Sequence, residues 1–369
     1  MASKSSQRAG DNSSQTYIEN QYVGVTEERA TEIARVQAEI AVREKFVAEA
    51  RLKASRRIES ADRKIIAKLT ALELLDIFGE PSFISAFQKA QISAAQTDRE
   101  SDYDILANLL AERALSGVSA AKAAIVRAIE IVDLVDEIAL RGLTALWFIG
   151  STTPSSKNPN VALQTLESSY SSLFPDSLPG GEWWIEHLDA LNLVRKDRTL
   201  KFHEFLEFLL KQRPGWVCQG MTEDEIAEDS QKLAALIGVG VDASLIIPHS
   251  YKDGYYRYDF QSKAQAIEHI RKFFAAADLP LDEGKWPAIE KHFDMLDNVD
   301  AACIETMKTD IVDRLPAVAR VSSWWDSLDK FVGVTHIGTA LAYTNAKRYD
   351  DLSGLLPLED VLSGVASVK

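Results

Sequence analysis

The chain has 369 residues, enough for two or three domains around a substantial core, and its 46% hydrophobic and 26% charged shares are those of a globular protein rather than a disordered one. A formal net charge of −14 argues against a whole surface built to hold nucleic acid or anionic membrane. Two cysteines, Cys218 and Cys303, make no disulfide framework, no apolar run approaches the roughly 18 residues that cross a bilayer, and the first residues lack a secretory h-region; the expectation is a cytoplasmic protein with no membrane association.

Residues 1–16 are almost wholly polar and read as a leader that an isolated monomer gains little by ordering. Tyr17, Ile18, Tyr22 and Val23 then favour an extended segment, which Gly24 closes. Thr26 with Glu27 and Glu28 is a helix start, and from Val25 to Phe78 there is neither Pro nor Gly. Apolar or small residues at Ile33, Val36, Ile40, Val47, Ala50, Ala54, Ile58, Ala61, Ile65, Leu69 and Leu72 form one helical stripe. Such a helix buries little alone, so residues 1–24 and the long amphipathic helix of 25–78 are expected to find their partner in other copies of the chain, through Tyr17, Ile18, Tyr22, Val23, Ile33, Val36 and Ile40.

The helix is also basic in an acidic protein. Arg51, Lys53, Arg56, Arg57, Arg63 and Lys64 read first as a solvated face with pairs such as Glu59 with Arg63, and second as a site for an anionic partner, nucleic acid or the protein's own acidic body.

Residues 79–178 read as a helical middle domain: FISAFQKAQISAA after Pro81, YDILANLLAERAL after a capping box at Thr97 to Glu100, the apolar run to Trp147, and a helix capped by Asn158 with Pro159 in its first turn. FPDSLPGG is the linker candidate and sets a soft boundary near Pro179. Residues 179–369 read as helix-rich with a small β element. A capping box at Thr222 to Glu225 opens a helix ending at Gly238, and two strand-like runs flank SYKDG as a hairpin. Helix, hairpin and helix permit a winged-helix reading, but no Lys- or Arg-rich recognition helix stands beside the hairpin. The fold class is mainly α.

Local chemistry is sparse. Gly238-Val239-Gly240-Val241-Asp242-Ala243 matches a dinucleotide loop only formally, because a helix precedes it and a strand follows, so a helix C-cap is the reading. The six histidines are scattered, neither cysteine has a C-x-x-C partner, and no nucleophile elbow or phosphate loop occurs; no cofactor and no metal are expected. In the pairs Trp183-Trp184 and Trp324-Trp325 one indole is expected to face the core and the other the rim. The run of Tyr255, Tyr256, Arg257, Tyr258 and Phe260 is read as packing rather than a base-stacking platform.

The leader Gly10-Asp11-Asn12-Ser13-Ser14-Gln15, the entry VGVTEERATEIA, the segments EIVDLVDEIALRGLTALWF and RPGWVCQGMTEDEI, and the closing THIGTALAYTNAKR together resemble an uncharacterised bacterial family labelled only by locus tags. Where related leaders continue with a second glycine-aspartate turn, this chain has Ile18-Glu19-Asn20-Gln21. The resemblance implies a setting in bacterial antiviral or conflict systems, where such leaders precede self-associating modules, and it defines no site residues. The expected function is a non-enzymatic, self-associating protein-interaction module, with a nucleic-acid-associated regulator using the basic helix and a hydrolase with a composite site as alternatives.

Overall fold

The computed structural model describes residues 26–152, 154, 156–197, 199–240, 242–280, 282–329, 332–349 and 355–363, so Tyr17, Ile18, Tyr22 and Val23 lie outside the described residues. Two compact units divide the chain, Met1–Ser55 and Arg56–Lys369. The fold is mainly α, as its composition and periodicity predict.

Helix α1 (Glu27–Ala71) begins in the first unit and ends in the second. Its start is capped as expected, with the Arg29 amide 3.4 Å from Thr26 Oγ1 and two glutamates at the positive end of the dipole. Its end differs from the expected Phe78. The chain turns at Glu73, which takes a left-handed φ of 57°, and the Leu74 amide donates to Leu69 O at 2.9 Å. This 6→1 bond is a Schellman closure made without glycine. It sends Phe78 back into edge contact with Phe83 and Phe87, at 5.3 Å between ring centroids in each case.

In the second unit, α1 buries Ala61, Ile65 and Leu69 completely. Polar ties hold it to the next two helices, α2 (Pro81–Gln96) and α3 (Glu100–Leu115): Gln91 donates to both Asp62 oxygens, and Lys64 pairs with Asp104 at 2.8 Å. Helix α3 starts at Glu100 rather than after Thr97. Thr97 instead donates to the buried Asp102 at 2.6 Å, and Arg99, at the N-cap, reaches Val132 O and Val135 O. A capping box at Thr97 would roll Arg99 into the helix and forfeit that clamp on the turn before α5.

Helices α4 (Ser119–Ile129), α5 (Glu137–Ser151), α6 (Pro159–Leu173) and α7 (Trp183–Ala190) follow, with Asp136 and Asn158 as side-chain N-caps of α5 and α6. Strand β1 (Val194–Lys196) and α8 (Phe205–Lys211) complete this run.

From Cys218 to Val299 the chain builds a separate hydrophobic cluster. It contains β2 (Met221–Thr222), α9 (Glu223–Ile237), β3 (Ile246–Pro248), β4 (Tyr255–Tyr258), α10 (Lys263–Ala276), α11 (Trp286–His292) and α12 (Asp294–Asp297). The segment enters and leaves through adjoining backbone: Cys218 bridges Val299, and the Asp300 amide donates to Val217 O at 2.7 Å. Around it, the larger core gathers residues from Ala61 to Val217 and from Cys303 to Leu358, together with Tyr251 from the segment itself, and includes α13 (Ala301–Arg314), α14 (Pro316–Asp326), β5 (Val332–Val334), α15 (His336–Ala346) and α16 (Leu358–Ser363). That core is continuous across Pro179, whose carbonyl accepts from Trp324 Nε1 at 2.8 Å.

The closing segment returns to the middle of the chain. β5 pairs antiparallel with β1, Val194 opposite Val334, and α15 lies against α3, α4 and α5 with Asn108 Nδ2 donating to Thr344 O. Gly338 is required here: a Cβ would sit 2.1 Å from Leu193 O.

The hairpin expected around SYKDG forms between β3 and β4, with Gly254 at φ +76° in its turn, and β2 pairs with β4 as a third strand. A three-stranded sheet with a hairpin is what a winged helix has. Among the described residues between Gly238 and β3, where a winged helix carries its recognition helix, there is a single 3₁₀ turn, Ala243–Leu245. Gly238 closes α9 in the left-handed conformation, φ +76°, as the C-cap reading requires.

Candidate functional site

The first unit presents the plainest unfilled surface. Every residue from Thr26 to Lys53 is exposed. Ile33, Val36, Ile40 and Val47 retain 47%, 41%, 49% and 43% of their surface in solvent. At 100° per residue these four fall within an arc of roughly 60°, a single stripe along α1. Ion pairs on the helix itself, Arg35 with Glu32 and Glu39, steady the solvated face at 3.5 and 3.8 Å but contribute only a few tenths of a kcal/mol each. The same stripe changes character further on: Ala61, Ile65 and Leu69 are fully buried in the second unit.

The basic residues also divide. Arg51, Lys53 and Arg56 are exposed. Arg57 donates to Ala95 O at 3.2 Å and lies 3.7 Å from Asp98; Lys64 joins Asp104 and Glu100 O. Arg63 turns to Glu59 O and Ser60 Oγ of its own helix rather than to the Glu59 carboxylate. Two of the six cations are therefore engaged by the ends of α2 and α3, which dilutes any stripe of free positive charge.

Within the inserted segment, Asp229, Tyr258 and His292 form a closed triangle. The Tyr258 hydroxyl donates to Asp229 Oδ2 at 2.8 Å and lies 3.2 Å from His292 Nε2, which is itself 3.3 Å from the same carboxylate oxygen. Burial pushes the Asp229 carboxyl upward, but hydrogen bonds from His292 and Tyr258 outweigh it and hold the group below the usual carboxylate range. Burial, reinforced by the bond to Asp229, pushes the Tyr258 phenol well above its ordinary value, and the residue has no exposed surface. A phenol so placed is an anchor for the carboxylate, not a nucleophile.

Arg257 shares that fate. It is 1% exposed and donates to Tyr258 O, Phe260 O and Lys157 O, a residue 100 positions earlier. The run from Tyr255 to Phe260 thus spends its cation and two of its rings on packing. Of the tryptophans, Trp183 is 49% exposed while Trp184 is buried, as expected; Trp324 and Trp325 are both buried, and their indole N–H groups reach Pro179 O and His203 O. An open groove of about 660 Å³ lies between α8 and the start of α13, with Leu206, Leu210, Val299 and Ile304 as its apolar wall and the His203–Glu207 pair and Lys308 at its rim.

Among the described residues no group of three or more His, Cys, Asp or Glu is placed to hold a metal ion, and no helix is long and apolar enough to cross a membrane. A protein-family model described as ":-like" matches residues 24–355, which takes in α1, the inserted segment and the larger core apart from α16. The chain belongs to this family. No curated protein and no solved structure matches the chain. The match runs from just before α1 to just before α16, and its description states no activity.

Proposed function

We propose that this protein is a non-enzymatic, self-associating interaction module in which a second copy covers the apolar stripe of α1. The supporting observation is the solvent exposure of Ile33, Val36, Ile40 and Val47 along one line of a helix whose first half buries nothing. Each side chain is already about half covered by its own helix, so docking removes enough apolar surface for about 1 kcal/mol apiece. Eight such side chains from two copies give about 8 kcal/mol, near the middle of the cost of association, 4–15 kcal/mol. The stripe alone therefore does little more than offset that cost. Tyr17, Ile18, Tyr22 and Val23 add the rest in this reading. The setting implied by the leader, bacterial antiviral or conflict systems in the cytoplasm, belongs to the same proposal.

The test is molar mass by light scattering on the full chain. Ile33→Asp with Ile40→Asp, and separately deletion of residues 1–24, should each lower the mass; an unchanged mass in both would defeat the proposal.

A further inference from the structure

Arg213 is 3% exposed, yet among the described residues no carboxylate lies within ion-pairing distance of it. Its two terminal nitrogens reach only Leu209 O at 3.4 Å and Pro154 O at 3.5 Å, both at the limit of a hydrogen bond, and its Nε has no partner. Burial lowers the guanidinium to about 10, which still leaves it charged at neutral pH. A buried charge without a counter-charge is expensive and rare in folded proteins. The face of Trp216, 5.2 Å from Arg213 Cζ, offsets only part of that cost.

Arg213 lines a small cavity between the end of α5, α6 and α8. Ile149, Leu166, Phe205, Phe208 and Leu209 line it, together with the polar residues Thr152, Tyr170 and Gln212. Tyr170 is 2% exposed and burial alone pushes its phenol above the ordinary range, so it stays a neutral O–H donor. Among the described residues no carboxylate lines the space. A cavity of about 20 Å³ has room for one small, water-sized species.

We propose that this cavity binds a single small inorganic anion of the halide class, chloride in the cell, held by the Arg213 guanidinium and the Tyr170 hydroxyl. The anion supplies the counter-charge that the protein does not, and so joins α5, α6 and α8 at the point where the inserted segment begins.

The probe is chloride itself, followed by the linewidth of its NMR signal with the full chain present. Saturable broadening that bromide displaces is expected, with its loss in Arg213→Met and its persistence in Arg314→Met, a surface control. Should Arg213→Met fail to fold, Tyr170→Phe keeps the shape, removes one donor and should weaken chloride roughly tenfold. Absence of saturable broadening in the unmodified protein, or full retention in Arg213→Met or Tyr170→Phe, overturns the proposal. A Tm that is higher in sodium chloride than in sodium gluconate at equal ionic strength should accompany binding and vanish in the same variants.

Discussion

His249 Nε2 lies 2.9 Å from the carbonyl oxygen of Cys218, while its Nδ1 accepts the Tyr251 amide at 3.1 Å. Because Nδ1 is an acceptor, Nε2 must carry the proton, and the neutral ring satisfies two backbone groups at the gateway of the inserted segment. Burial lowers this imidazole from 6.5 to about 4. Between those values the unfolded chain binds a proton that the folded chain refuses, so stability is complete above pH 6.5 and is lost as pH falls towards 4. His249→Phe should flatten that limb in urea titrations at a series of pH values. It should also cost about 2 kcal/mol at neutral pH, because Cys218 O and the Tyr251 amide lose their partner. Some slope will survive, since burial lowers His269 as well.

A second acid-sensitive element is Asp229. Its depressed carboxyl contributes stability above the ordinary aspartate value of 3.8 and loses it as pH falls through the lower folded value. Asp229→Ala leaves the buried Tyr258 hydroxyl without its acceptor and should destabilise the protein by about 2 kcal/mol at pH 7, with the deficit shrinking in strong acid. Equal deficits at pH 7 and pH 3 would show that the triangle does not work this way.

Glu73 occupies a left-handed conformation, φ 57°, that costs an L-residue about 1 kcal/mol and glycine almost nothing. The residue is exposed and caps α1. Glu73→Gly should therefore raise the urea midpoint without changing the slope, less the small entropy that glycine gains in the unfolded chain.

Gly338→Ala tests the opposite case. The new methyl would stand 2.1 Å from Leu193 O, which accepts from both the Thr335 amide and its hydroxyl. Since the obstacle is backbone rather than a flexible side chain, the β1–β5 joint must open, at roughly 3 kcal/mol. A midpoint within error of the unmodified protein would mean that α15 is not pinned to β1 as described.

Local patterns determined much of this protein. The periodicity of α1, the Asn158-Pro159 start, the Thr222 capping box, the Gly238 stop and the Asp253-Gly254 hairpin each rest on contacts within a few residues, and each is present in the structure. Stops that need no special residue were not legible. Glu73, Asn192 and Asp278 all turn left-handed where a following leucine, Leu74, Leu193 or Leu279, closes back on its helix. After Asn192 the turn buries Leu193 and Val194, a gain that no local window contains, whereas Leu279 after Asp278 stays 42% exposed. The same holds for the stripe of α1: its Ile40 and its Ile65 look alike in the sequence, and only the presence of α2 and α3 beside the second makes one exposed at 49% and the other buried. Tertiary structure also decided that Arg257 and Arg213 would be interior charges and that residues 218–299 would form a segment with its own core, tied at the neck by Cys218 and Val299. Those outcomes depend on pairings between positions tens to hundreds of residues apart, and hydrophobic period and capping chemistry carry no record of them.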